Sequence, residues 1–134
     1  MDYIQLETAI KRFAEMLEAY RHNEKRKPLE QEAVQDSLVK RFEYTLEVAW
    51  KTCKRHLGEE GFMQAATGSP KDIMRLALEA GLITDLQGWL DYINVGQNTS
   101  HDYSEDKAEC ALDMAEAFYD DVMGLYQTMT GKNV

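Results

Sequence analysis

Long runs of apolar residues spaced three and four positions apart are the feature of this sequence that most restricts its fold. The first run extends from Leu6 to Tyr20, the second from Val34 to Leu57, and the last from Ala108 to Met129. This spacing places one apolar stripe on each of three long helices. No stretch alternates for long between apolar and polar residues, and no Asn-Gly or Asp-Gly turn occurs, so no strand is predicted.

Turn and capping residues divide the rest of the chain. In chain order, the boundary residues are Pro28, Gly58, Gly61, Ser69-Pro70, Gly81, Asp85 and Gly96. They delimit two short helices between the second and the last long one, and an exposed basic connection over residues 21–27. The sequence therefore predicts an all-α protein, an antiparallel up-and-down bundle of three long and two short helices, as a single domain over residues 1–134.

The net charge of −9, from 15 Lys and Arg against 24 Asp and Glu, restricts the partners. A free-standing binder of nucleic-acid backbone gains its energy by neutralising phosphates, and this surface repels them. RNA is therefore disfavoured and DNA is not expected. Any RNA or nucleotide site must be a local basic patch or be supplied by a partner.

The cysteines and the apolar segments predict the compartment. Cys53 and Cys110 lie within helical patterns without a CxxC motif, so we expect two ordinary core thiols in a reducing cytoplasm. The chain shows neither a basic leader nor an apolar run long enough for a membrane span, so no membrane association is predicted.

Familiar catalytic and cofactor signatures are missing from the sequence. None of the three histidines has a partner four residues away, as a helical zinc pair would need. The glycine-rich run 58–61 carries two glutamates, which oppose phosphate binding. There is no Walker A motif, Rossmann fingerprint or G-x-S-x-G elbow, so we predict no metal and no cofactor bound by this chain.

Two segments nevertheless suggest a site. The first, Asn98 to Ser104, is a polar run between two helices, in which His101 can act as an acid or base and Tyr103 offers a phenol. It can equally be a capped turn with Ser104 as the N-cap. In the second segment, the following residues share one helical face: Lys40, Tyr44, Glu47, Lys51 and Lys54. That face is either solvated surface or a binding surface, and the neighbouring Arg41 can bind a phosphate bidentately.

The last helix is strongly acidic along its length. Its acidic residues are Glu105, Asp106, Glu109, Asp113, Glu116, Asp120 and Asp121, with Lys107 as the one base among them. They form either a solvated outer face or a docking surface for a basic partner.

Three sequence blocks carry a resemblance to a known family. They are Arg41 to Lys51 (RFEYTLEVAWK), Ser69 to Asp72 with Ala80 to Ile83, and Thr99 to Tyr103 (TSHDY). In this order they resemble the HEPN-type proteins described as nucleotidyltransferase substrate-binding subunits. The resemblance implies a helical bundle, often a homodimer, encoded beside a minimal nucleotidyltransferase with which it forms a complex. It also implies that the partner, not this chain, binds Mg-ATP. The bundle is similar to the helical substrate-side domain of larger aminoglycoside-type nucleotidyltransferases.

Many HEPN relatives are ribonuclease toxins with an Arg-x4-His-x-Tyr motif. His101 and Tyr103 match that motif, but Gly96 stands where the arginine is expected. Metal-free RNA cleavage needs a cation near the phosphate, so the glycine weakens the ribonuclease interpretation. In toxin–antitoxin pairs of this kind, the nucleotidyltransferase transfers AMP to the motif tyrosine. The resemblance thus implies that Tyr103 is an AMP acceptor.

Three hypotheses follow for the function. The leading one is a non-catalytic partner subunit of a two-component nucleotidyltransferase. The alternatives are a metal-independent ribonuclease toxin with His101 as the catalytic acid or base, and a purely structural helical dimer. The residues predicted to bind substrate or nucleotide are Arg41, Glu47, Lys51, Asn98, Thr99, Ser100 and Asp102.

Overall fold

The computed structural model describes residues 1–97 and 105–134, and it is built from α-helices. The helices are α1 (Ile4–Arg21), α2 (Pro28–Glu59), α3 (Pro70–Glu79), α4 (Leu86–Gln97) and α5 (Glu105–Thr130). Two short 3-10 turns, Asn23–Lys25 and Met63–Thr67, flank α2. The predicted all-α bundle with three long and two short helices is confirmed.

Local signals explain where the short helices begin and end. Ser69 and Asp72 form a reciprocal capping box at the start of α3, with Pro70 at its first position. The Asp85 carboxylate accepts a hydrogen bond from the Gly88 amide at 3.0 Å, which caps α4 as predicted. Gly81 follows α3 with a φ of 79°, a left-handed conformation that a glycine adopts without strain.

The connection between α1 and α2 is mostly exposed, as predicted, with one exception. Asn23 is buried, and it exchanges two hydrogen bonds with Gln31, at 3.1 and 3.0 Å. The α2 helix begins at Pro28, well before the apolar run that starts at Val34. The helix therefore begins at the predicted boundary, where the proline and the Asn23–Gln31 contact stabilise turns that precede the apolar stripe.

Contacts at both ends of α1 set the helix directions. Near one end, the Tyr3 hydroxyl lies 2.7 Å from His56 Nδ1 of α2, and the Tyr126 hydroxyl of α5 donates to Glu7 at 3.3 Å. At the other end, Arg21 donates two hydrogen bonds of 2.8 Å to Glu116 of α5. Helix α1 is thus antiparallel to both α2 and α5. The two short helices, α3 and α4, connect the end of α2 to the start of α5.

Aromatic rings form the centre of the core. The Phe118 ring of α5 is fully buried and makes edge-to-face contacts with rings from α1, α2 and α4. Its centroid distances are 5.4 Å to Phe13, 4.8 Å to Phe42, 6.0 Å to Trp89 and 5.2 Å to Tyr92. These contacts fix α2 and α4 against each other, and so they position the surface between them.

The structure separates the two cysteines. Cys53 is buried, and burial raises the pKa of its thiol to about 12, so it is the predicted core thiol. The prediction for Cys110 is wrong, because its side chain is exposed. Cys110 precedes the buried Ala111, and one residue turns a helix by about 100°, which carries Cys110 out of the apolar stripe. Among the described residues, no helix has the length and apolar character needed to cross a bilayer.

Two of the acidic side chains on α5 have partners within the chain. Glu116 binds Arg21, which holds the pKa of that carboxyl below its usual range. Asp121 accepts a hydrogen bond of 2.5 Å from the buried Tyr92 hydroxyl. These contacts show that part of the acidic stripe stabilises the bundle.

Candidate functional site

The predicted polar segment lies outside the described residues. This concerns Asn98, Thr99, Ser100, His101, Asp102, Tyr103 and Ser104. The structure describes the two helices that flank the segment, since α4 ends at Gln97 and α5 begins at Glu105. The candidate site is therefore built from the surface on which α4 ends.

A groove of about 440 Å³ lies where the end of α4 meets α2, and we call it the α2–α4 groove. Its described lining residues are Glu43, Tyr44, Leu46, Glu47, Trp50, Gly96 and Gln97. Gly96 allows the two helices to approach closely, because a Cβ placed there would overlap the Leu46 side chain. Gly96, which stands where the motif has an arginine, is thus a packing position in this chain.

Carboxylates dominate the electrostatics of the α2–α4 groove. Glu43 and Glu47 are one helical turn apart and line the same groove. Glu43 Oε1 is buried and has no hydrogen-bond partner among the described residues. Glu47 Oε1 accepts from Lys51 Nζ at 2.8 Å. With no cation among its described lining residues, this groove disfavours a phosphate that arrives without counter-ions.

The predicted binding residues of α2 fall into two places. Glu47 and Lys51 form an ion pair beside Trp50, and the Lys51 ammonium lies 5.9 Å from the centre of that ring. Arg41 lies apart from them and faces α1. Its Nη1 donates to the Arg12 carbonyl oxygen at 2.6 Å and lies 4.0 Å from the Glu15 carboxylate. The structure therefore does not bring Arg41 together with Glu47 and Lys51.

A second groove, of about 560 Å³, lies between α1 and α2, and we call it the α1–α2 groove. Its described lining residues are Gln5, Thr8, Ala9, Arg12, Lys40, Arg41, Tyr44 and Thr45. Three of them are cations and none is acidic. Tyr44 lines both grooves, and half of its surface is exposed.

Two charged contributors to these grooves, Arg12 and Glu43, were missed by sequence reasoning. Arg12 belongs to the first helix, and only the antiparallel pairing with α2 brings it beside Arg41. Glu43 was noted as part of a family block, but its side chain was not chosen as a site residue. The spacing of Glu43 and Glu47 is a signal that could have revealed it, since residues four apart share a helical face. No group of three or more metal-ligating side chains occurs within residues 1–97 and 105–134.

Comparisons with known proteins find a matching family model and a named relative. The model of a family described as "Nucleotidyltransferase substrate binding protein like" matches residues 1–131. A Haemophilus influenzae protein named "Probable ribonuclease HepT" is 31% identical over 106 residues, which cover 75% of this chain and 73% of that protein.

Two solved structures share the fold. One is a Haemophilus influenzae protein described as revealing the fold of a substrate binding domain of a nucleotidyltransferase. Its TM-score is 0.84 at 23% identity, and the match covers 96% of this chain and 98% of the other. The second is a protein from Thermus thermophilus, with a TM-score of 0.76 at 26% identity over 93% of this chain and 98% of the other.

Proposed function

This chain belongs to the nucleotidyltransferase substrate-binding protein-like family, and from that membership we propose that it is the non-catalytic subunit of a two-component nucleotidyltransferase. In this proposal, the partner binds Mg-ATP, and this chain presents the segment from Asn98 to Tyr103 at the shared site. The homodimer and the cytoplasmic location expected from the sequence are part of the proposal.

The observation that carries the proposal is the acidic character of the surface where that segment starts. Gln97, the last residue of α4, lines the α2–α4 groove together with Glu43 and Glu47. A triphosphate is repelled by two carboxylates unless cations accompany it. A nucleotidyltransferase partner that brings both the nucleotide and its magnesium supplies those cations. The groove is therefore better suited to an acceptor-side subunit than to a nucleotide-binding enzyme.

Tyr103 is the proposed acceptor of AMP. Its phenol oxygen forms a bond to the α-phosphorus of ATP, the bond from that phosphorus to the bridging oxygen breaks, and pyrophosphate leaves. The phenol proton, whose ordinary pKa is about 10, passes to a base. His101 is two residues away in the sequence and is the proposed proton acceptor.

Intact mass spectrometry tests the acceptor role. The chain is incubated with the nucleotidyltransferase encoded beside it and Mg-ATP, and Tyr103→Phe serves as the matched control. We expect a mass increase of one AMP unit per modified site in the parent and none in the control. An unchanged mass, with the two proteins still co-eluting, would replace the acceptor role with passive presentation of another substrate. Separate elution of the two proteins on a sizing column would contradict the subunit proposal itself.

A ribonuclease is the second candidate, and the similarity to a protein named "Probable ribonuclease HepT" favours it. Against it stands Gly96, which provides no cation to the phosphate at the position where the motif has an arginine. The toxicity of His101→Ala on expression tests the ribonuclease candidate. If the variant is as toxic on expression as the parent, His101 is not the acid or base of an RNA-cleaving site.

A further inference from the structure

The α2–α4 groove combines carboxylates with aromatic rings. Glu43, Glu47 and Trp50 stand at positions i, i+4 and i+7 of α2, so they share one face of that helix. Tyr44, which is 51% exposed, lines the same groove. Carboxylates attract a cation by their charge, and the faces of aromatic rings attract it by their quadrupole. The described lining of this groove therefore favours an organic cation.

Glu43 supplies a driving force for binding a cation. Its Oε1 is buried and has no hydrogen-bond partner among the described residues. Such an oxygen lowers the stability of the fold, because water no longer solvates it and no donor replaces the water. A ligand that brings a positive charge close to Glu43 offsets this cost, since charges interact more strongly where water is excluded.

An ammonium group of the chain itself already binds in this way beside the groove. Lys51 Nζ lies 2.8 Å from Glu47 Oε1 and 5.9 Å from the centre of the Trp50 ring. The side chains of Lys51 and Glu47 are 56% and 58% exposed, so their ion pair is solvated and weak. A carboxylate accepts about four hydrogen bonds. Glu47 therefore keeps acceptor positions for the ammonium group of a ligand.

The walls of the groove select the kind of cation. Leu46 and the two aromatic side chains give it apolar walls, from which a hydrated metal ion gains nothing. Within residues 1–97 and 105–134, no group of three metal-ligating side chains replaces the water of such an ion. An alkyl chain, in contrast, buries apolar surface against these walls. A primary ammonium group has three N–H donors, which are enough for both carboxylates.

We propose that the α2–α4 groove binds an aliphatic amine, with a primary ammonium group between Glu43 and Glu47 and the alkyl chain against Trp50. The side-chain amide of Gln97, on α4, has an oxygen that can accept a hydrogen bond from a second amino group, so a linear diamine is the preferred ligand. The groove volume of about 440 Å³ is within the range of small-molecule sites. The site is formed by side chains of α2 and α4, so binding does not depend on the proposed subunit role.

Calorimetric titration of the full-length chain with 1,4-diaminobutane tests the site. The net charge of −9 attracts a diamine to the whole surface, so the titration is made in about 0.15 M salt, which screens distant charges. We expect saturable binding that weakens about tenfold in Glu43→Gln, because one charge-assisted contact is lost. The matched control is Glu32→Gln, which removes the same charge from an exposed position of α2 outside the groove. Affinity in this control should change less than about threefold. Circular dichroism verifies that both variants are folded.

Tryptophan fluorescence locates the bound amine. The chain has two tryptophans, and Trp89 is only 2% exposed, so a change of emission during the titration reports on Trp50. Trp50→Leu should abolish this change. It should also weaken binding about two- to fivefold in calorimetry, because the contact between the cation and the ring is lost.

Two comparison ligands separate an amine site from a general attraction of cations. Tetramethylammonium has no N–H donor and Mg²⁺ has no alkyl chain, so both should bind more weakly than the diamine. Four outcomes would overturn the proposal: no saturable binding of the diamine at millimolar concentration, equal losses in Glu43→Gln and Glu32→Gln, unchanged tryptophan emission, or binding of either comparison ligand as tight as that of the diamine. None of these outcomes bears on complex formation with a nucleotidyltransferase.

Discussion

The two grooves beside α2 have opposite charge, although both include Tyr44. The α1–α2 groove is lined by three cations, and the α2–α4 groove by two carboxylates. Arg41 and Glu43 are only two residues apart, but successive residues of a helix point about 100° apart, so they face different neighbours. One helix thus separates a basic surface from an acidic one.

The difference shows why the average charge of a chain is a weak guide to its ligands. At about 4 Å, one pair of unit charges interacts by roughly 4 kcal/mol near a protein surface. Charges beyond about 10 Å are largely screened at ordinary ionic strength. The side chains that line each groove therefore decide what it binds, and the acidic remainder of the surface contributes little. The following predictions, from the largest effect to the smallest, test this separation.

Phe118→Ala should remove the support that both grooves share. The ring is fully buried and contacts Phe42 of α2 at a centroid distance of 4.8 Å. Its loss should lower the free energy of unfolding by about 3–5 kcal/mol, measured by urea denaturation. Leu29→Ala is the control, since Leu29 is 79% exposed and its loss should cost less than about 0.5 kcal/mol. Similar losses in the two variants would contradict the aromatic core as the common support.

Gly96→Ala should disturb the α2–α4 groove alone. The new Cβ overlaps the end of the Leu46 side chain, which is buried and has little room to move, so we expect a net loss of about 1 kcal/mol in the free energy of unfolding after the gain in helix propensity. Gly124→Ala is the matched control, because no atom lies within 4 Å of its Cβ position in α5. That helix should be stabilised by up to about 1 kcal/mol. A loss of stability in Gly124→Ala as large as that in Gly96→Ala would contradict the close approach of α4 to α2.

Glu43→Met should stabilise the protein. Glu43 Oε1 is buried without a partner in the described part of the chain, and an unsatisfied buried polar group costs about 1–3 kcal/mol. Only one oxygen is concerned, so we expect a gain of about 1 kcal/mol in thermal or urea unfolding. Glu47→Met, at a side chain that is 58% exposed, should change stability by less than about 0.5 kcal/mol. A loss in Glu43→Met that exceeds the loss in Glu47→Met would show that the carboxylate is satisfied.

The smallest effect on stability is expected from the exposed ion pairs of Arg21, which lie outside both grooves. Hydrogen bonds from Arg21 hold the pKa of Glu116 and of Glu18 below the ordinary value. A lowered folded-state pKa gives stability that is present above the unfolded value, about 4.3, and is lost as the pH falls through the folded value. Arg21→Gln should therefore be less stable than the parent at pH 7, and the difference should shrink in urea titrations toward pH 3.

The matched control for this pH dependence is Lys25→Gln. Lys25 is exposed and has no ion pair among the described residues, so its replacement should leave the acid limb of the stability curve unchanged. If Arg21→Gln and Lys25→Gln reduced the loss of stability at low pH to the same extent, net charge and not the Arg21 contacts would determine the pH dependence.

Much of the fold could be predicted because its signals are local. The apolar spacing identified α1, α2 and α5, and the Ser69-Pro70 and Asp85 caps located α3 and α4. The errors concern the burial of single residues, which depends on neighbours that are distant in the sequence. Asn23 is buried although it lies in the stretch predicted to be exposed, and Cys110 was assigned to the core although it lies beside the apolar stripe.

The candidate site could be predicted only in part. Glu47 and Lys51 form the contact expected of residues four apart on a helix. Arg41 was grouped with them by sequence proximity, but the turn of the helix directs it toward α1. The roles assigned to His101 and Tyr103 stay predictions, since these residues lie outside the described part of the chain.

The sequence by itself determined the helices, their caps and the membership of a family, because each of these depends on residues close together in the chain or on matching motifs. Only the tertiary structure decided which charges share a surface. Arg12 and Arg41 meet because α1 and α2 are antiparallel, and Gly96 reaches Leu46 because the aromatic core holds α4 against α2. Electrostatic energy depends on distance in space, and helix packing sets that distance.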